Sequence, residues 1–172
     1  MRQNNLSLFD QTGAVFSSCE KYRYRLWRHW EKNGKPTLAW ILLNCSTATA
    51  SANDPTVERC ERRARMMGFG GVEVVNIFAY RATDPLVMKA QEDPIGPDND
   101  RAILEAIADC GMVICGWGTH GAHMNRGREV TSMLISKGVD LHCLTITEGG
   151  HPGHPLYVGY DVVPKPFPGY CR

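Results

Sequence analysis

The chain has no Cys-x-x-Cys pair, no long apolar run, no internal repeat, no low-complexity tract and no excess of charge of one sign. Each absence excludes a class. Seven cysteines are an odd number, and their spacing is not that of zinc or iron–sulfur sites, so reduced thiols and no bound metal are expected. With no signal peptide at the start, the expected location is cytoplasmic. No apolar stretch approaches the ~20 residues needed to cross a bilayer, so no membrane is expected. Nineteen Lys and Arg against eighteen Asp and Glu leave a net charge of +1, which removes the global basic field of a protein that grips long duplex DNA unaided. The arginines do cluster, in "YRYRLWRHW" (Arg23, Arg25, Arg28) and in "VERCERRAR" (Arg59, Arg62, Arg63, Arg65). They read as the solvated faces of a strand and a helix, with a local basic patch as the alternative.

What is present is a regular alternation of strands and helices in one domain, residues 1–172. "KYRYRLWRHW" alternates with period two, the pattern of an amphipathic strand, and "TLAWILL" is a strand buried on both faces; the two are expected to pair across "EKNGKP". Asp54 caps a helix with Pro55 at its first position, running to Met67 and stopped by Gly68; in this reading Asp54 is structural. "GVEVVNIFAY", "GMVICGWG" and "VDLHCLTIT" are further buried strands. A Pro-rich loop, a helix "DRAILEAIADC" capped by Asp98 or Asn99, and a helix "REVTSMLISKG" closed by Gly138 separate them. The expected fold is α/β, three-layer α/β/α: a central, mostly parallel four-stranded sheet plus antiparallel N-terminal edge strands.

In such a sheet ligands bind beyond the carboxyl ends of the strands. The residues leaving the buried strands are Asn44-Cys45-Ser46-Thr47, Asn76-Ile77-Phe78, Gly116-Trp117-Gly118, and the run from Thr145 through "TEGGHPGHPLY". Amide, hydroxyl, aromatic and imidazole groups at corresponding strand ends point to one shared site, and prolines 152 and 155 fix the backbone around His151 and His154.

The set "ILLNCSTA", "DPTVERC", "VEVVNIFAYRATDP", "GPDNDRAI", "VICGWG" and "GGHPGHPLY" resembles the DUF1643 family from Tyr22 to Tyr157. Where that family usually reads Asn-Pro-Ser-Thr-Ala, this chain has Cys45 in the proline position. The order of motifs is also similar to the uracil-DNA glycosylase superfamily: Asn44 at the first strand end, Asn76 at the second, Trp117-Gly118 at the third, and a final His-Pro, either His154-Pro155 or His151-Pro152. The chain lacks the Gly before the first motif, the Asp of the more active glycosylases and the Ser after His-Pro.

The resemblance implies N-glycosidic bond hydrolysis on a base or nucleotide in nucleic acid. Asn44 and His154 would be catalytic, and no cofactor or metal would take part. Asn44 would hold water and His154 would stabilise the departing base. Asn76 would read the base edge, Phe78 or Trp117 would stack on it, Ser46, Thr47 and Arg81 would meet phosphate, and His151 would be a further binding residue. Nucleic acid or a nucleotide is thus the expected partner. Three alternatives remain open at this stage: a non-catalytic binder of nucleotides or modified nucleic acid, a hydrolase with Cys45 as nucleophile and His154 as base, and a metal-dependent hydrolase using Asp54, His151 and His154.

Overall fold

The structure is a computed structural model that describes the backbone of Arg2 and Gln3 and residues 11–31, 33–45 and 47–170. Eight strands form one sheet: β1 (Arg2–Gln3), β2 (Gln11–Phe16), β3 (Arg23–His29), β4 (Thr37–Leu42), β5 (Gly71–Asn76), β6 (Cys110–Gly116), β7 (Leu141–Cys143) and β8 (Lys165–Pro166). Four α-helices, α1 (Pro55–Met66), α2 (Pro85–Lys89), α3 (Asn99–Ile107) and α4 (Arg126–Ser136), and two 3-10 segments, Thr119–Asn125 and Pro155–Tyr157, connect them. The strand order is β1-β2-β3-β5-β4-β6-β7-β8.

The four central strands β5-β4-β6-β7 are parallel, and every other pairing is antiparallel. The fold is therefore α/β with a parallel centre, as the alternation of the sequence implies. Two pairings differ from expectation. β3 pairs with β5 and not with its sequence neighbour β4, because β4 is buried between β5 and β6 and has no edge left for it. β2 supplies the hairpin partner of β3 instead. The "VDLHCLTIT" strand is also shorter than its apolar content suggests, with only Leu141–Cys143 in the ladder.

Period-two alternation divides the core. Leu38, Trp40, Leu42, Val72, Val74 and Ile114 face α1, which contributes Val57, Cys60 and Ala64 at helical spacing. Ala39, Ile41, Val75, Val113 and Cys115 face the other way, against Ile103, Ala106 and Ile107 of α3 and Val130 and Leu134 of α4. Helices thus cover both faces of the sheet. α1 starts where the sequence indicates: Asp54 accepts the Val57 N–H at 2.8 Å and Pro55 opens the helix.

The arginines of β3 and α1 are where the reading as solvated faces fails. Arg23, Arg28 and Arg63 are buried, at 2%, 5% and 3% exposure. Between the pairs Val15–Arg25 and Phe16–Arg23 the register slips, so Tyr24 is an extra residue and Arg23 comes round to the side of Arg28. Arg28 donates to the carbonyls of Trp27, Thr49 and Ala50 at 2.9, 2.7 and 2.9 Å and to Asn53 Oδ1 at 3.0 Å; Arg23 donates to the carbonyl of Ala48. Arg59 and Arg63 treat the loop at residues 155–162 the same way, donating to Pro155, Val158, Gly159 and Val162. The loops have no ladder partners for their carbonyls, and the guanidinium groups supply the missing donors. On the other face Arg25 grips buried Glu73 bidentately at 2.7 and 2.8 Å, and His29 joins at 2.9 Å.

Arg28→Met keeps much of the apolar stem and removes every donor to the loop at 49–53. Unfolding in urea is expected to show a loss of about 2–4 kcal/mol, from several orphaned carbonyls at once. Limited proteolysis should then cut between residues 47 and 53; a variant as resistant as wild type would show that the loop holds itself.

Candidate functional site

The order of the strands reverses at β4, whose successors β5 and β6 lie on opposite sides of it. The loop after β4 leads to α1 on one face of the sheet, and the loop after β6 leads toward α4 on the other, so the two diverge and leave a crevice at the carboxyl edge. A cavity of about 790 Å³ lies there, within the size range of small-ligand sites. Its wall comes from residues 43–45, 47 and 54–56, from 83 and 85, from 117–120, from 145 and 147, and from 153, 154, 156–159 and 162.

Asn44 and His154, the two residues expected to be catalytic, both line the cavity, as do Thr47 and Trp117. Asn44 is fixed by donating its side-chain amide to the carbonyl of Ala82 at 3.1 Å, which leaves its carbonyl oxygen free of that contact. Trp117 is 1% exposed and donates its indole N–H to Tyr170 Oη at 2.8 Å. Its ring fills the space beside Gly121 and Gly127, where a Cβ would come within 2.1 and 2.7 Å of it. Gly118 follows at φ +70° and donates to the carbonyl of Pro152 at 2.8 Å, tying the end of β6 to the histidine loop.

His154 sits at the start of the 3-10 turn Pro155–Tyr157. Its Nδ1 accepts the Leu156 N–H at 3.3 Å, which places the proton of the neutral ring on Nε2. Burial lowers its pKa below the ordinary value of 6.5, opposed by the nearby charge of Asp54, so the ring is neutral at pH 7. The turn is rigid: Tyr157 N–H donates to the carbonyl of His154 at 3.1 Å, and Arg59 holds the carbonyls of Pro155 and Val158 at 3.1 and 2.6 Å.

Four residues expected at the site do not line the cavity. Asn76 is 4% exposed and works as a clamp: its Oδ1 accepts the Cys45 N–H at 3.1 Å, while its own backbone carbonyl takes Asn99 Nδ2 at 2.8 Å. It ties the loop that carries Asn44 to the end of β5. Phe78 is fully buried in the core on the α3 and α4 face, with the His123 ring 5.6 Å away. Arg81 is exposed on the far side of its loop, donating to Glu20 O at 3.0 Å and lying 4.9 Å over Phe16. His151 meets Tyr170 Oη at 2.9 Å. That hydroxyl accepts the Trp117 indole N–H, so His151 supports Trp117 from behind through Tyr170. Ser46 lies outside the described residues.

The structure adds residues that sequence reasoning assigned otherwise or passed over. Asp54 is the N-cap of α1, and it also lines the cavity, its second oxygen 3.3 Å from Thr47 Oγ1. Thr145 and Thr147 follow β7, His120 follows Trp117-Gly118, and Tyr157 stands 84% exposed at the mouth. The threonines and His120 were signalled by their place just after buried strands. The double duty of Asp54 was hidden behind an unambiguous helix-start pattern.

Cys45 is buried among Leu42, Ala48 and Val57, and burial, reinforced by Asp54, pushes its thiol up to about 12. That suppresses the thiolate a cysteine nucleophile requires. No cluster of three or more His, Cys, Asp or Glu side chains with metal-binding geometry occurs among the described residues. No helix among them is long and apolar enough to cross a membrane.

Alkylation with iodoacetamide at pH 8 should label exposed Cys19, whose thiol is lowered by the Ser17 hydroxyl, well before Cys45 or Cys60. Peptide mass spectrometry reads the order. Early labelling of Cys45 in the folded protein would restore the cysteine nucleophile.

No curated protein and no solved structure was found to match the chain. One family does, over residues 23–156, a span that takes in β3 through His154 and most of the cavity wall. The chain belongs to the DUF1643 family, described as proteins of unknown function.

Proposed function

We propose that the protein is an N-glycosidase of the uracil-DNA glycosylase type, with a three-layer α/β/α arrangement, that hydrolyses the bond between a base and its sugar in a nucleotide or nucleic acid. The observation that carries this reading is the convergence of Asn44, Asp54, Trp117 and His154 on one cavity at the carboxyl edge of the parallel strands. Cleaving an N-glycosidic bond builds positive charge on the sugar and negative charge on the base, so the site needs a carboxylate or carbonyl on one side and a donor on the other.

Asn44 offers a carbonyl oxygen to a water, with its amide pinned on Ala82. The water oxygen bonds to the anomeric carbon as the carbon–nitrogen bond breaks. The electron pair of that bond leaves with the base, and the proton of the water passes to Asp54 and on to solvent. His154 presents Nε2–H to the carbonyl on which the negative charge of the base collects. Tyr157 supplies an exposed aromatic face at the mouth of the cavity, and buried Trp117 backs its wall. A pocket that binds without cleaving is the second reading, favoured by an amide in place of a carboxylate at Asn44.

Incubation with oligonucleotides carrying uracil, hypoxanthine or other deaminated bases, followed by assay of abasic sites and free base, tests the proposal. His154→Ala should fold normally and lose about 10²–10³ in rate, the usual loss on removing one donor to a developing anion. Asp54→Asn should change stability by less than about 1 kcal/mol, since Asn caps as well as Asp, while slowing cleavage. Binding of base by the wild type with no release from any substrate would leave the binder reading; equal rates in all three proteins would remove the assigned chemistry.

A further inference from the structure

The wall of the cavity is polar without being cationic. Among the described residues it carries six threonines, Thr47, Thr56, Thr83, Thr119, Thr145 and Thr147, one acidic side chain, Asp54, and no lysine or arginine. Its two histidines add no positive charge at pH 7. Burial lowers the pKa of His154, and burial together with the charge of Lys89 lowers that of His120, while Asp54 and Asp84 act the other way on each. The cations beside the wall are spent elsewhere: Arg59 and Arg63 donate to the carbonyls of Val158 and Gly159, and Arg23 donates to the carbonyl of Ala48. Lys89 meets Nδ1 of His120 at 3.0 Å and is not itself part of the wall.

Two further acidic side chains flank the wall. Asp84 lies between Thr83 and Pro85, and Glu148 follows Thr147; both are exposed, and neither forms a salt bridge among the described residues. Thr47, whose place after β4 pointed to phosphate, has its hydroxyl 3.3 Å from Asp54 Oδ2, beside a charge that a phosphate avoids. A pocket rejects a competitor by the like charge it sets against it as much as by the contacts it withholds. We propose that the cavity accepts the uncharged base-and-sugar part of its ligand, with threonine hydroxyls toward the sugar, and turns phosphate away through Asp54, Asp84 and Glu148, resting on the preceding reading for the base and the sugar. Its volume of about 790 Å³ has room for both together.

Uridine, inosine and adenosine, their 5′-monophosphates and a single-stranded uridine tetranucleotide are titrated into the full chain by calorimetry at low salt. A nucleoside that binds should do so roughly threefold or more tightly than its monophosphate, and the gap should narrow as salt is raised. Asp54→Asn, which keeps the helix cap, and the double variant Asp84→Asn with Glu148→Gln should each bring the monophosphate closer to the nucleoside at a nearly unchanged melting temperature. A tetranucleotide that binds as well as uridine has its phosphates outside the mouth; one that binds more weakly identifies the free nucleoside as the ligand. Tighter binding of the monophosphates by the wild type, or a ratio that stays the same in both variants, overturns the inference. Nucleosides bound with no base released from any substrate would leave it standing and remove the glycosidase reading. Base released faster from monophosphates than from nucleosides would do the reverse, and a cavity that binds none of the panel removes both.

Discussion

The geometry of this protein depends on buried guanidinium groups donating to the carbonyls of loops that have no regular hydrogen bonding. Arg28 and Arg23 carry the loop at residues 48–53, Arg59 and Arg63 carry the loop at 155–162, and Arg126 holds the carbonyl of Ile77 at 2.9 Å just past β5. Each arginine satisfies two demands at once: a desolvated cation finds oxygen partners, and orphaned carbonyls find donors. Three of the loops around the carboxyl edge are thereby tied to the elements that carry the arginines. Arg59, Arg62 and Arg63 also lie 4.5, 4.6 and 5.4 Å from the Tyr160 ring, so the histidine loop is packed as well as bonded.

This use of arginine changes how the charge of the molecule reads. Two clusters that look like candidates for a nucleic-acid contact are largely consumed inside the protein, and the cavity wall formed by the described residues carries Asp54 and two histidines instead. The wall presents polar groups of fixed orientation: the carbonyl oxygen of the pinned Asn44 side chain and, in the proposed reading, the Nε2–H of His154, with the indole of Trp117 held by Tyr170. Preorganisation of this kind is what stabilises developing charge without reorganisation during reaction.

The parallel centre of the sheet, the start of α1 at Asp54 and the gathering of Asn44, Trp117 and His154 at one edge were legible in the sequence, because continuous apolar runs, a capping pattern and strand ends are local signals. The neighbour of β3 was not, since pairing with β5 is decided by which strand still has a free edge. The burial of Arg23 follows from a one-residue slip in register, which alternation alone does not reveal. Asn76 is the last residue of β5 and Phe78 lies two positions beyond it, at the same kind of strand end as Asn44, and nothing local distinguishes a clamp or a core ring from a ligand contact. That distinction came only from what each side chain touches: Cys45 and Asn99 for Asn76, and the apolar face of the sheet for Phe78.

The most direct measurement is a crystal structure of the protein soaked with uracil. The account expects the base in the cavity beyond β4 and β6, against Trp117 or Tyr157, with a ring carbonyl within about 3 Å of His154 Nε2 and the Asn44 side chain facing the position of the glycosidic nitrogen. A base bound away from His154, or a cavity that excludes it while holding ligand at another surface, would contradict it.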